Sequence, residues 1–357
     1  MKKILVTGTL GQDGANMCEF LLKDPGNEVY GMIRRAAAPN FTNCKNFLAH
    51  DRFNLVYGDL VDEVSICNLV KEIQPDYFIN FAANSFVGCS WKMPLQVFDV
   101  NSTGVLRCLE AIKAYQPACR FYSAGSSEEF GDIDYSPQDL KHPLKPRSPY
   151  GASKCAARHL VKVYRESYDM YAIHGTLFNH EGVKRGEEFV TRKITKGVAR
   201  IKKEIELRNH INPIELGNIY AKRDWSDSED FVEGVWLMLN RDKPKDYLLA
   251  SGETHTIKEF VERAFYAAKI EGNWCENENN PLETKFHRNS SCGETLVKIN
   301  SKFYRPNEVQ LLLGDPTDIK LELGWNPKVS FRNLVKKMVE HDLDEVGIKI
   351  DEIGIEI

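Results

Sequence analysis

The sequence predicts an α/β protein: a Rossmann-type doubly wound parallel sheet with a smaller mixed α/β domain attached. Three observations predict it. Short, continuously apolar runs alternate with helical stretches through the first half, a glycine-spaced turn follows the first run, and the alternation stops after Phe178. Runs that are apolar throughout, rather than at every other residue, belong to strands covered on both faces.

In chain order the runs "KKILVTG", "EVYGMI", "FNLVYGDL", "DYFINFAA", "RFYSAG" and "IHGTLF" read as six strands. The helix that opens at "SPYGASKCAARHLVKVYRESY" has a defined start, with Ser148 as N-cap and Pro149 in the first turn. Beyond Phe178 the loop "NHEGVKRGEEF" breaks the pattern. Residues 1–178 are expected to form the first domain, with the chain returning to it near 214–245 through "YAKRDWSDSEDFVEGVWLML". Residues 179–340 are expected to form the second, interleaved domain, and 341–357 a tail without an assigned role.

With 357 residues, 42% of them hydrophobic and 27% charged, the chain can bury a large core. The net charge of −4, with basic residues dispersed, argues against nucleic-acid or membrane partners. The nine cysteines include no C-x-x-C pair, so a reducing compartment is expected and no metal site. "MKKILVTG" runs from two lysines straight into a strand, which is too short for a signal-peptide core. No apolar run approaches a membrane span, so a cytoplasmic location is expected.

In "VTGTLGQDG", Gly8, Gly11 and Gly14 stand at G-x-x-G-x-x-G spacing between the first strand and its helix, with Gln12 and Asp13 among them. Glycines there let backbone N–H groups approach a pyrophosphate, although a purely structural turn has the same look. The second strand ends in Arg34 and Arg35, where a carboxylate would bind the ribose 2′-OH of NAD. Guanidinium groups at that position suit a 2′-phosphate and so NADP; the alternative is a solvated arginine pair. Asp59 and Leu60, ending the third strand, would flank the adenine. Ala82 and Ala83, ending the fourth, would lie near the pyrophosphate or the nicotinamide ribose.

Tyr150 and Lys154 in "YGASK" share one helical face. A lysine ammonium beside a phenol lowers its pKa, so that tyrosinate can take a proton from a hydroxyl as hydride leaves the same carbon. "SAGSSEEFG", residues 123–131, reads by itself as a turn capping the next element. After a glycine fingerprint and before Tyr150 and Lys154, it also supplies Ser126 to hydrogen-bond the reacting oxygen.

These residues, together with "LFNHEGVKRGEEFVTRKI", "LGNIYAKRDW", "GDLVD", "SPYGASK" and "YRPNEVQLLLGD", occur in an order that resembles the extended short-chain dehydrogenase/reductase family, in the branch that dehydrates GDP-mannose. The resemblance covers nearly the whole chain. It implies a lyase that takes GDP-mannose or a close relative to a 4-keto-6-deoxy sugar, with tightly bound NADP and a homodimeric or homotetrameric assembly. It assigns Ser126, Glu128, Tyr150 and Lys154 to catalysis, and His180 and Arg185 to the cofactor beside the residues named above. Ser85, Ser127, Asn179, Val190, Lys193, Arg223, Arg305 and Glu308 fall to the nucleotide sugar. Within the same fold a GDP-sugar 4-reductase or 4-epimerase is the enzymatic alternative, and a non-catalytic NADP-binding regulator the alternative of another class.

The chain departs from that family's pattern in places. A serine, Ser126, replaces threonine; Glu129 stands where an apolar residue is usual; and Asn84 and Phe86 stand where Gln and His are usual. Sugar preference is the property these changes bear on, and the residues offer no role for Glu129.

Overall fold

The structure is a computed structural model that describes residues 1–277, 279–304 and 309–349. The chain forms two compact units. The first is Met1–His180, Asp224–Thr254 and Leu311–Lys328; the second is Glu181–Arg223, His255–Gln310 and the chain from Val329 onward. The passage Leu311–Lys328 is one that the sequence pattern did not signal, because its single short helix, Thr317–Leu323, has no periodicity of its own to read.

The first unit is built on strands β1 (Lys2–Thr7), β2 (Asn27–Ile33), β3 (Phe53–Tyr57), β4 (Tyr77–Asn80), β5 (Arg120–Ala124) and β6 (Ala172–Leu177). A seventh strand, Tyr247–Leu249, pairs with β6, an addition to the six read from sequence; at three residues it is too short to show a pattern. The order is Tyr247–Leu249, β6, β5, β4, β1, β2, β3, and every pairing is parallel. The order reverses at β1, where β2 and β4 lie on opposite sides, and such a switch point is where doubly wound sheets hold ligands.

Helices α1 (Gln12–Leu22), α2 (Glu63–Ile73), α3 (Val87–Ser90), α4 (Pro94–Phe98), α5 (Gly104–Tyr115) and α6 (Pro149–Tyr168) follow the strands. Successive residues of β1 enter different cores: Ile4 and Val6 pack with α1 residues Ala15, Met17 and Cys18, while Leu5 packs with Val70, Leu109 and Ala157 from α2, α5 and α6. Both faces of the sheet are therefore dry, the physical reason its strands are apolar without alternation. Ser148 caps α6 by accepting the Gly151 N–H at 3.0 Å, with Pro149 following it.

The second unit has a four-stranded sheet, Gly272–Cys275, Lys285–Arg288, Thr295–Ile299 and Ile214–Leu216, antiparallel except for its last pairing. Helix α7 (Val190–Glu206) packs on Phe331–Glu345 and Ile257–Ala267. A buried ion pair between Arg192 and Asp342 joins the first two of these helices. The helix Phe331–Glu345 continues through residue 341, where the sequence suggested that a tail begins, and residues 350–357 lie outside the described residues. Among the described residues no helix is long and apolar enough to cross a membrane.

Candidate active site

The glycine turn joins β1 to α1 with little room to spare. Gly8 has φ +71°, and a Cβ there would come within 2.9 Å of the Ala82 nitrogen; a Cβ on Gly14 would lie 2.3 Å from the Gly8 carbonyl oxygen. The helix opens at Gly11 with no side-chain cap, so its first N–H groups are available to an anion. Backbone close-packed in this way suits a pyrophosphate that must approach the chain directly. Thr7 Oγ1 accepts the Ala82 N–H at 3.0 Å and donates to Asn80 Oδ1 at 2.6 Å, which fixes the end of β4 beside the turn.

Gln12 and Asp13 are braced by His180. Gln12 Nε2 donates to the His180 carbonyl at 3.1 Å, and the His180 ring places Nε2 2.9 Å from Asp13 Oδ2 while stacking on Phe231 at 4.8 Å. Arg34 and Arg35 are exposed just past the end of β2. Asp59 is half-buried and accepts the Val61 N–H at 3.2 Å; Leu60 is buried beside Gly104; Ala83 is half-buried and Ser85 exposed.

The four residues assigned to catalysis all lie in the first unit. Ser126 starts a short 3₁₀ turn, Ser127–Glu129, and its Oγ accepts the Glu128 N–H at 3.2 Å. The capping reading of "SAGSSEEFG" and the placement of Ser126 at the end of β5 thus hold together. Glu128 and Ser127 are buried in that turn. Helix α6 presses on it: a Cβ on Gly151 would lie 2.5 Å from the Glu128 carbonyl oxygen, so the residue after Tyr150 must be glycine for the two segments to meet. Lys154 Nζ donates to the Ala124 carbonyl at 2.7 Å and sits 5.8 Å from the centre of the Tyr150 ring. Burial drives the lysine pKa down to about 8, against the opposing pull of Glu129 and Asp13. An ammonium of that acidity, one helical turn from a buried phenol, can stabilise tyrosinate and also exchange protons near neutrality.

Two further residues belong to this constellation, and the sequence assigned neither of them a role. Asn101, buried in a π-helical turn (Asp99–Thr103), accepts the Asn84 N–H at 2.8 Å and donates to Ser153 Oγ at 3.2 Å. Ser153 in turn donates to the Tyr150 carbonyl at 2.7 Å, so Asn101 links the end of β4 to the helix of Tyr150. Glu129 is the second, fully buried beside Ser126.

Asn179 is half-buried in the first unit. Ser85 and Ser127 lie there as well, whereas Val190, Lys193, Arg223 and Arg185 fall in the second unit. Arg185 pairs with Glu181 at 3.0 Å and lies over the Phe189 ring at 3.6 Å. Val190 opens α7, and Arg223 is buried. Lys193 lines an open cleft of about 410 Å³ within this unit, with Lys196, Arg200, Pro213, Glu215 and Phe303. Its Nζ sits 3.5 Å from the centre of the Phe303 ring, and burial lowers its pKa, with Glu215 opposing. The cleft gathers cations and an aromatic ring beside carboxylates: Glu187 also lines it and pairs with Lys196 at 2.5 Å, and Arg200 pairs with Glu204 at 2.7 Å. Arg305 and Glu308 lie outside the described residues.

Comparison with known proteins bears on this arrangement. The family described as GDP-mannose 4,6 dehydratase matches residues 5–338. The GDP-mannose 4,6 dehydratase of Drosophila melanogaster is 41% identical over 351 residues, covering 96% of this chain and 86% of that protein. Among solved structures, DesIV (dTDP-glucose 4,6-dehydratase) from Streptomyces venezuelae, with NAD bound, superposes with a TM-score of 0.80 at 21% identity, covering 97% of this chain and 98% of that one. RMD from Pseudomonas aeruginosa, complexed with NADPH, superposes at 0.74 and 21% identity, covering 97% and 100%.

Proposed function

We propose that this chain, which belongs to the GDP-mannose 4,6 dehydratase family, converts GDP-mannose to GDP-4-keto-6-deoxymannose and water in a redox-neutral reaction. The observation that carries the reading is Glu128. A buried carboxyl group one residue past the Ser126–Ser127 pair, pressed against the helix of Tyr150, supplies an acid/base that a plain alcohol dehydrogenase does not need.

A nicotinamide cofactor fits the glycine turn, whose backbone leaves no room for a Cβ at Gly8 or Gly14. When bound, the nicotinamide supplies the acceptor for hydride from C4 of the sugar and the donor for its return to C6. The fold is compatible with NAD and with NADPH, as its solved relatives illustrate, so the preference rests on the chain itself. Arg34 and Arg35 support NADP, because two guanidinium groups where β2 ends suit a 2′-phosphate. Gly8, Gly11, Gln12, Asp13 and Gly14 would hold the pyrophosphate, Asp59 and Leu60 the adenine, and Ala82, Ala83, His180 and Arg185 the remainder.

Tyr150 takes the C4 hydroxyl proton, with Lys154 stabilising the phenolate and Ser126 donating to the developing carbonyl oxygen. The ketone at C4 acidifies the C5 proton, and Glu128 removes it. The same carboxyl group then protonates the departing C6 hydroxyl, so the proton taken at C5 leaves in the water, and the proton held by Tyr150 is delivered to C5 as C6 becomes a methyl group, which restores the starting enzyme. Ser85, Ser127, Asn179, Val190, Lys193, Arg223, Arg305 and Glu308 are the proposed contacts to the nucleotide sugar. A cytoplasmic homodimer or homotetramer completes the reading, and sedimentation of the purified protein reads the assembly.

Incubation with GDP-mannose and catalytic NADP tests the activity. A 4-keto-6-deoxy product seen by NMR, without net cofactor consumption, is the expected result. Stoichiometric NADPH oxidation on a keto sugar would instead mark a 4-reductase, and tight cofactor binding without turnover of any GDP-hexose a regulator.

A further inference from the structure

Glu129 is fully buried, and a carboxylate in that setting persists only with specific partners. It has three, each on a different element. Oε1 accepts the Ser126 N–H at 2.8 Å at the end of β5 and lies 2.9 Å from Nε2 of His174 on β6; Oε2 lies 3.6 Å from the Arg158 guanidinium on α6. Burial works against its ionisation, but His174, Arg158 and the Ser126 N–H outweigh burial and hold the pKa below the ordinary carboxylate value. Space for the group is made by Gly125, where a Cβ would lie 2.3 Å from His174 Nε2 and 2.7 Å from Glu129 Oε1. Gly125, Glu129, Arg158 and His174 therefore form one interdependent set.

Arg158 stands one helical turn beyond Lys154, and Lys154 one turn beyond Tyr150, so the three occupy one face of α6. Asp13 on α1, engaged by His180 and Gln12, is the other charged group that acts on Lys154. Of the two carboxylates that pull the Lys154 proton inward, Glu129 is the stronger.

We propose that Glu129 is a positioning residue for the Ser126, Tyr150 and Lys154 set: its carboxylate clamps the end of β5 to β6 and α6 and is the counter-charge against which Lys154 stays an ammonium. The proposal rests on the dehydratase reading for its effect on turnover, and on the structure alone for its effect on Lys154. It also accounts for a glutamate at a position where the family pattern has an apolar residue. A neutral side chain there would leave the buried His174 and the half-buried Arg158 without this carboxylate.

The experiment compares the parent with Glu129→Gln, Glu129→Asp and Arg158→Gln, across pH, in GDP-mannose turnover and in urea unfolding. Glu129→Gln should lower kcat 10- to 100-fold with KM changed less than about threefold, and should move the alkaline limb of kcat to lower pH by about half a unit to one unit. Glu129→Asp, which keeps the charge, should return the limb to the parent position. Arg158→Gln, which removes a cation near Lys154, should move it to higher pH. In unfolding, the pH at which stability begins to rise on Lys154 deprotonation should shift in the same directions, and this readout needs no substrate. Loss of turnover in the parent would therefore count against the dehydratase reading while the unfolding shifts still judged Glu129. Unchanged limbs and unfolding profiles in Glu129→Gln, or shifts of the same sign in Glu129→Gln and Arg158→Gln, would overturn the proposal; should Glu129→Gln not fold, an unmoved or acid-shifted Arg158→Gln profile does so.

Discussion

Lys154 Nζ donates to the carbonyl oxygen of Ala124 at 2.7 Å, which ties the helix bearing Tyr150 to the strand that delivers Ser126. One bond thus sets the spacing of three groups that must meet at a single carbon–oxygen bond. It also holds an ammonium in a dry setting, and that has an energetic consequence.

Burial lowers the Lys154 pKa from 10.5 to about 8, so the unfolded chain binds more protons between those values. Stability therefore rises with pH across that window and carries the full penalty below it, an effect of about 3 kcal/mol. Lys154→Met should abolish turnover yet raise stability at pH 7 by about 2 kcal/mol, since the lost bond to Ala124 offsets about 1 kcal/mol. Urea melts at pH 7 and 10 check this: the parent should gain on the parent-minus-variant difference at the higher pH.

Glu128→Gln keeps the volume of the side chain and removes its basicity. Formation of the 6-deoxy product should fall by 100-fold or more, and exchange of the C5 proton with deuterated solvent should fall with it. Product formation at the parent rate would place the C5 base elsewhere.

Exposed guanidinium groups that meet a phosphate each contribute about 1.5–3 kcal/mol to binding. Replacing both Arg34 and Arg35 by Ala should weaken NADP binding about 100-fold or more and leave NAD within about threefold. Calorimetric titration with both dinucleotides gives the ratio, and equal losses for the two would remove the 2′-phosphate from the account.

Lys193 in the cleft of the second unit is expected to bind ground state and transition state alike. Lys193→Ala should raise KM for GDP-mannose about tenfold with kcat within a factor of about two. A fall in kcat with unchanged KM would assign Lys193 to the chemistry rather than to binding.

Much of this was legible in the chain. Six of the seven strands of the first sheet are written as continuous apolar runs, because a sheet covered on both faces demands them. Ser148 and Pro149 mark the start of α6 by local hydrogen bonding and ring geometry alone. Tyr247–Leu249 and the return at Leu311–Lys328 were not legible, since short segments have no period and gain their place from what they pack against. Asn101 looked like any polar residue in a helical stretch. Its bonds to Asn84 and Ser153 exist only once β4 and α6 are side by side.

The sequence by itself determined the parallel sheet, the glycine turn and the shared helical face of Tyr150 and Lys154, because each is a matter of neighbours along the chain. Tertiary structure alone decided the role of Glu129. Its partners Arg158 and His174 are remote in sequence and come within reach only when α6 and β6 close on the end of β5. A buried charge is stable only where such partners converge, and no local pattern records that convergence.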